Sequence, residues 1–136
     1  KAFVIRFHNG DYDMIGNSIR KMTMTNEVVS PGIKPASDDF KGVLRSNYFW
    51  ADSELRQHGQ LFIHDIEVIK DLDQSLYLYH TAAGVKAAYY VSLRNKYDVP
   101  IGVIGVSYSK KDPVDIEQIR HCLNDKKMRV EAVLEL

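Results

Sequence analysis

Residues 85–108 contain the feature that most restricts the fold: two apolar segments separated by a short polar connection. Residues 85–93 are rich in Val, Ala and Tyr, and residues 100–108 read PIGVIGVSY. Both compositions are typical of buried strands, and the polar residues 94–98 predict the connection between them. Gly102 and Gly105 would let a neighbouring backbone or helix approach closely. The chain is therefore expected to fold around a sheet that contains these two strands.

Further strands and helices are predicted on either side of this pair. Residues 2–9 read as a mostly buried strand that ends in a turn at Asn9-Gly10, and residues 19–29 alternate as a second, antiparallel strand. The remaining pattern predicts a helix that begins near Ser37 and includes Phe40, Val43 and Leu44, a strand at 61–66, a helix at 72–81 and a last helix after Asp112-Pro113. The order β-β-α-β-α-β-β-α predicts one α+β domain, residues 1–136.

Charge and apolar patterning exclude several classes of partner. The chain has 18 Lys and Arg against 18 Asp and Glu, so no net field attracts nucleic acid or an anionic membrane. No apolar run approaches the roughly 20 residues that span a bilayer. Because the sequence begins at Lys1 without Met, we expect a fragment of a longer protein. A cytoplasmic location is expected for this domain, and the parent protein could still carry a membrane anchor.

Catalytic and metal-binding motifs are missing from the sequence. Its five histidines have no HExxH or similar ligand spacing, and its one cysteine, Cys122, excludes a CxxC pair and an intramolecular disulfide. We expect Cys122 to pack as a small apolar residue in the last helix. The prediction is a domain that is not an enzyme, with no catalytic residue, metal or cofactor.

Two sets of residues are candidates for binding. Thr25 and Glu27 would share a sheet face with Arg6 and His8, and an Arg6–Glu27 ion pair is expected there; the alternative is a solvated outer face. Tyr89 and Tyr90 must point to opposite faces of their strand. A tyrosine on a pocket face could orient a ligand with its hydroxyl group, whereas the alternative is ordinary strand packing.

The second half of the chain resembles a GAF domain. The resemblance lies in residues 62–65 (FIHD), 83–88 (AGVKAA), 91–93 (VSL), 101–106 (IGVIGV) and 115–117 (DIE), which follow one another as a strand ending in Asp, a Gly-Val entry into a strand, an Ile-Gly-Val strand and an acid that opens the last helix. It covers residues 61–123, while residues 1–60 fit in outline. Residues 8–10 (HNG) and 25–32 (TNEVVSPG) are also similar to small phage-encoded proteins in which a membrane segment precedes such a domain.

The resemblance implies a fold and a class of function. The fold is a twisted antiparallel sheet with helices packed on one face and a pocket on the other, roofed by the connections between strands. The function is that of a regulatory or sensor domain that binds a small molecule; the alternative is an interaction module that forms a homodimer through its terminal helices without a ligand. The candidate ligand-binding residues are His8, Asn9, Thr25, Glu27, His64, Asp65, His80, Tyr89 and Tyr90.

Overall fold

The computed structural model describes residues 1–12, 18–30, 35, 40–113 and 115–134, and the side chains of residues 1–8, 21–30, 35, 40–113 and 115–133. Six strands in this part of the chain form one antiparallel sheet in the order β3-β2-β1-β6-β5-β4. They are β1 (Ala2–Tyr12), β2 (Ser18–Val28), β3 (Val43–Leu44), β4 (Gln60–Ile63), β5 (Ala87–Arg94) and β6 (Pro100–Tyr108).

Three α-helices in the same part of the chain pack on this sheet: α1 (Phe49–His58), α2 (Gln74–Ala82) and α3 (Ile116–Leu134). Short 3₁₀ turns, Arg45–Tyr48 and Ile66–Ile69, precede α1 and α2. Gly59 ends α1 with a φ of 73° and donates its N–H to the Leu55 carbonyl at 2.9 Å, which is the usual role of a glycine after a helix. Among the described helices, none has both the length and the apolarity that a membrane crossing requires.

Strand β5 determines how the layers are arranged, because its residues from Ala87 to Leu93 are all buried. Tyr89 and Leu93 belong to an apolar cluster with Ile119 and Leu123 of α3. Tyr90 belongs to the opposite cluster, which contains the buried apolar residues of α1 and α2. The twisted antiparallel α+β sheet is thus confirmed, and it differs from the prediction in one respect: α3 lies on one face and α1 and α2 lie on the other.

Two predictions about local structure were wrong. The helix expected to include Val43 and Leu44 is absent there, because these residues pair with β2 as strand β3, and the helix begins at Phe49 instead. The Ser37 cap lies outside the described residues. The turn expected at Asn9-Gly10 is also wrong, since β1 continues to Tyr12 and Asn9 still pairs with Arg20.

The glycines of β6 permit the close pairing of β1 with β6. A Cβ atom on Gly102 would lie 2.3 Å from the carbonyl oxygen of Ile5, a backbone atom that cannot move aside without disturbing the sheet. A Cβ on Gly105 would lie 2.6 Å from the Phe3 ring. The sequence-based interpretation of these glycines as sites of close approach is therefore confirmed.

One buried carboxylate joins α1 to α2. Asp73, 6% exposed, is the residue before α2 and accepts a hydrogen bond from the Leu76 N–H through Oδ1 at 3.0 Å. Its Oδ2 accepts a second hydrogen bond, from the Ala51 N–H in the first turn of α1, at 3.1 Å. A helix leaves its first N–H groups without partners, and here one side chain satisfies such a group in each helix.

Replacing Asp73 should therefore destabilise both helices. We expect Asp73→Ala to lower the free energy of unfolding by about 2–4 kcal/mol, because two buried N–H groups lose their acceptor. Asp73→Asn keeps one carboxamide oxygen and should lose about half as much. Urea unfolding measures the difference, with Asp71→Ala, at an exposed neighbouring position, as a control expected within about 0.5 kcal/mol of the wild type. A similar loss in the Asp71 and Asp73 variants would contradict the double cap.

Candidate functional site

A cavity lies between the sheet and the layer formed by α1 and α2. The space open to water inside it is about 60 Å³, which corresponds to about four to six water molecules. Aromatic rings form much of its wall, and aliphatic side chains from β1, β2, β6 and both helices complete it. The aromatic lining residues are Phe3, Phe7, Phe40, Tyr48, Tyr79 and Tyr90. The cavity is therefore mostly apolar, as small-molecule pockets are.

A buried histidine–tyrosine pair forms one polar part of this wall. His80 on α2 is 2% exposed, and its Nε2 forms a hydrogen bond with the hydroxyl group of Tyr90 on β5. Among the described residues, Nδ1 of His80 is buried without a hydrogen-bond partner. Leaving such a group unpaired costs stability, so packing alone does not account for a histidine at this position.

Burial determines the charge of this pair. Burial, with a smaller contribution from the positive charge of Lys1, lowers the pKa of His80 from the ordinary 6.5 to about 3. Burial also raises the pKa of Tyr90 well above 10. Both side chains are consequently neutral at physiological pH, and the pair acts through hydrogen bonding.

A buried ion pair lies beside the cavity. Lys1 lines the cavity, and its Nζ atom is 3.3 Å from Oε2 of Glu27; the two side chains are 10% and 5% exposed. Lys1 also lies 6.0 Å from the centre of the Tyr79 ring. The predicted Arg6–Glu27 pair is wrong, because a bulge in β2 places Glu27 opposite Phe3 and on its face. Arg6 pairs in register with Thr23 and is exposed on the other face.

A second ion pair lies at the outer rim of the cavity. The Arg45 guanidinium donates to Oδ1 of Asp52 through Nη2 at 3.0 Å and through Nε at 3.3 Å. The same guanidinium stacks on Phe7, 3.9 Å from the ring centre. Both charged side chains are partly exposed, so this pair lies between the cavity and solvent.

The remaining predicted residues lie elsewhere. Tyr89 points to the α3 face, where its hydroxyl group bonds Nδ1 of His64 at 2.9 Å. Asp65 caps the 3₁₀ turn after β4 by accepting from the Glu67 N–H at 3.1 Å, and it borders a separate, open depression with Lys86 and Lys111. Of the nine candidates, His80 and Tyr90 line the cavity and Glu27 reaches it through Lys1.

His8, Thr25 and Asn9 give no support to a pocket at the start of the chain. His8 is exposed and bonds the Thr23 hydroxyl at 2.8 Å, and Thr25 is exposed and donates to Asn26 at 3.0 Å. The Asn9 side chain lies outside the described residues. These contacts match the solvated outer face that the sequence left open as the alternative.

Several cavity residues could not be identified from the sequence. Phe40 reaches the cavity because its carbonyl accepts the Met24 N–H at 2.9 Å, which holds it against β2. Lys1, Arg45 and Asp52 stand in no recognisable motif, and only the tertiary fold brings them together. Cys122 is exposed, so its predicted packing in the core was wrong. In the described part of the chain, no three His, Cys, Asp or Glu side chains are grouped as metal ligands.

Comparison with known proteins adds structural relatives and no sequence relatives. No protein-family model matches the sequence, and no curated protein matches it. The structure is similar to GAF3 of Slr1393 from Synechocystis sp. PCC6803 in its photoproduct state, with a TM-score of 0.66 at 15% identity over 98% of this chain and 80% of that one.

Two further structures are similar in the same way. A domain described as part of a two-component sensor histidine kinase from Sinorhizobium meliloti 1021 has a TM-score of 0.54 at 14% identity, over 99% of this chain and 84% of that one. The phycoerythrobilin-bound GAF domain of a cyanobacterial phytochrome has a TM-score of 0.56 at 12% identity, over 94% and 75%. The fold of this chain is therefore GAF-like, as its sequence resemblance implied.

The neutral state of His80 predicts a pH dependence of stability. Below about pH 6.5 the unfolded chain binds a proton at this histidine, whereas the folded chain does not until about pH 3. The unfolded state then binds more protons, so stability falls as the pH drops through this window. From pH 7 to pH 5, His80 should contribute a loss of about 2 kcal/mol.

Urea unfolding at both pH values tests this prediction. His80→Gln should remove most of that pH-dependent loss, because glutamine does not titrate. His121→Gln replaces an exposed histidine of α3 and should leave the loss unchanged. Equal pH dependence in the wild type and the His80 variant would show that His80 is protonated in the folded state.

Proposed function

We propose that this domain is a non-enzymatic sensor or regulatory module that binds a small molecule in the cavity between the sheet and α1–α2. The observation that carries the proposal is the buried His80–Tyr90 pair in a mostly apolar wall, with Nδ1 of His80 unpaired among the described residues. A cavity with a few convergent polar groups is the usual form of a ligand site. The GAF-like fold supports the same role, since the similar structures are photoreceptor and sensor-kinase domains.

A bilin chromophore, which one of the similar structures holds, does not fit this chain. The water-accessible space of about 60 Å³ suits a single small ring and not a tetrapyrrole. The one cysteine, Cys122, lies on α3, which covers the opposite face of the sheet, so it cannot attach a chromophore within the cavity. The proposed ligand is therefore smaller and is not covalently bound.

Thermal unfolding of the purified domain in the presence of nucleotides, cyclic nucleotides and small metabolites tests the proposal. A true ligand at a hundredfold excess over its Kd should stabilise the fold by about 2.7 kcal/mol. Ala51→Leu adds bulk to a residue that lines the cavity and should abolish that stabilisation. Ala132→Leu makes the same change at an exposed position of α3 and should preserve it. A ligand effect that survives in Ala51→Leu would place the binding site elsewhere.

A second candidate function is an interaction module that forms a homodimer through α3. Met128 and Val133 on this helix are 74% and 66% exposed, although large apolar side chains are usually buried. Apolar side chains exposed on a terminal helix would support pairing with another helix.

Sedimentation velocity separates this candidate from the ligand-binding one. A dimer that uses α3 should dissociate at least tenfold more readily in Met128→Lys/Val133→Lys, because each lysine places a charge in an apolar contact. Val28→Lys, an exposed apolar residue of β2, is the matched control and should not change the dimer. A wild-type chain that stays monomeric at all accessible concentrations would exclude this function.

A further inference from the structure

Each basic side chain that lines the cavity already lies beside an acidic one. Nζ of Lys1 is 3.3 Å from Glu27, and Nη2 of Arg45 is 3.0 Å from Asp52. A ligand carboxylate or phosphate at either cation would lie close to the carboxylate already there, and two like charges at that distance repel each other. The repulsion would be least screened beside Glu27, whose side chain is 5% exposed. The cavity therefore disfavours anions.

Cations are disfavoured for the same reason. Asp52 has a second basic partner, Arg56, whose Nε lies 3.2 Å from Oδ2. His80 and Tyr90 are neutral, and both are buried. The aromatic lining accepts flat apolar groups by ring stacking and edge contacts, without needing a charge.

The proton on the His80 ring follows from a count of hydrogen bonds. In the described part of the chain, the Tyr90 hydroxyl forms one hydrogen bond, with Nε2 of His80, and Nδ1 forms none. If Nε2 carried the proton, both the hydroxyl proton of Tyr90 and the bare Nδ1 would be unpaired. If Tyr90 donates to Nε2, Nδ1 carries the proton and is the one unpaired group. Each buried unpaired group costs stability, so the second arrangement is favoured.

We infer that the cavity selects a small, uncharged, mostly aromatic molecule that presents one hydrogen-bond acceptor, such as a carbonyl oxygen, to the Nδ1–H of His80. This inference rests on the proposed function and defines the chemical class of its ligand. His80 is the residue that determines specificity, and the aromatic wall supplies the apolar contact. Cyclic nucleotides and other phosphates fall outside this class.

Three probes of nearly equal size test the inference. Acetophenone has the aromatic ring and the acceptor, α-methylstyrene replaces the carbonyl oxygen with a methylene group, and benzoate carries a negative charge. In titrations followed by ¹H–¹⁵N NMR, acetophenone should bind about tenfold more tightly than α-methylstyrene, because the latter leaves Nδ1–H unpaired. Benzoate should bind at least about a hundredfold more weakly than acetophenone.

Two variants, each lacking one partner of the His80–Tyr90 hydrogen bond, show which residue causes the preference for acetophenone. His80→Phe should remove the preference for acetophenone, because the donor is gone. Tyr90→Phe deletes the other partner but keeps the histidine, so the preference should persist. If His80→Phe keeps the preference for acetophenone, the assignment to His80 is wrong. The ¹⁵N shifts of the His80 ring give an independent readout without any ligand: protonation at Nδ1 is expected, and protonation at Nε2 would overturn the inference.

The outcomes separate this inference from the proposed function. Equal binding of acetophenone and α-methylstyrene, or tighter binding of benzoate, would overturn the ligand class while leaving a working cavity. Binding of none of the three would also overturn it. The proposed function fails only if, in addition, the metabolite screen finds no compound whose stabilisation is lost in Ala51→Leu.

Discussion

The burial of β5 on both faces is the constraint on which the rest of the structure depends. A strand whose residues from Ala87 to Leu93 are all withdrawn from water requires a covering layer above and below it. Helix α3 provides one layer with Ile119 and Leu123, and the connections that carry α1 and α2 provide the other. The first layer is closely packed against the sheet. The second is built from short elements joined by turns, and the cavity lies beneath it.

The sequence was most informative where periodicity and burial agree. Local patterns correctly predicted the two strands of residues 85–108, the opposite orientation of Tyr89 and Tyr90, and the last helix. Tertiary contacts did not override these local preferences. The bulge in β2 could not be predicted: Val4 pairs with Asn26 and Ile5 with Met24, which leaves one extra residue on β2. The extra residue in β2 places Glu27 on the same sheet face as the cavity, and no feature of the amino-acid composition indicates a bulge at this position.

Long-range contacts set the other limit on prediction. Asp73 is separated by 22 residues from Ala51, whose N–H it accepts, and the residues that surround the cavity come from many separate segments. A helix cap within one segment has a sequence signature, whereas a cap supplied to a second helix has none. Likewise, His80 is a candidate site residue because it is buried and bonded to Tyr90, and neither fact could be inferred from the spacing of the five histidines.

The shared cap at Asp73 has a mechanical consequence for the layer above the cavity. Moving α1 away from α2 would break one of the two hydrogen bonds of the buried Asp73 carboxylate. The first turns of the two helices should therefore move together as one rigid unit. A molecule in the cavity that displaced Ala51 or Leu76 would thus displace both helices and not only one of them. Asp73 also lies directly before α2, the helix that carries His80. A shift of the two helices would therefore also change the orientation of His80 at the cavity.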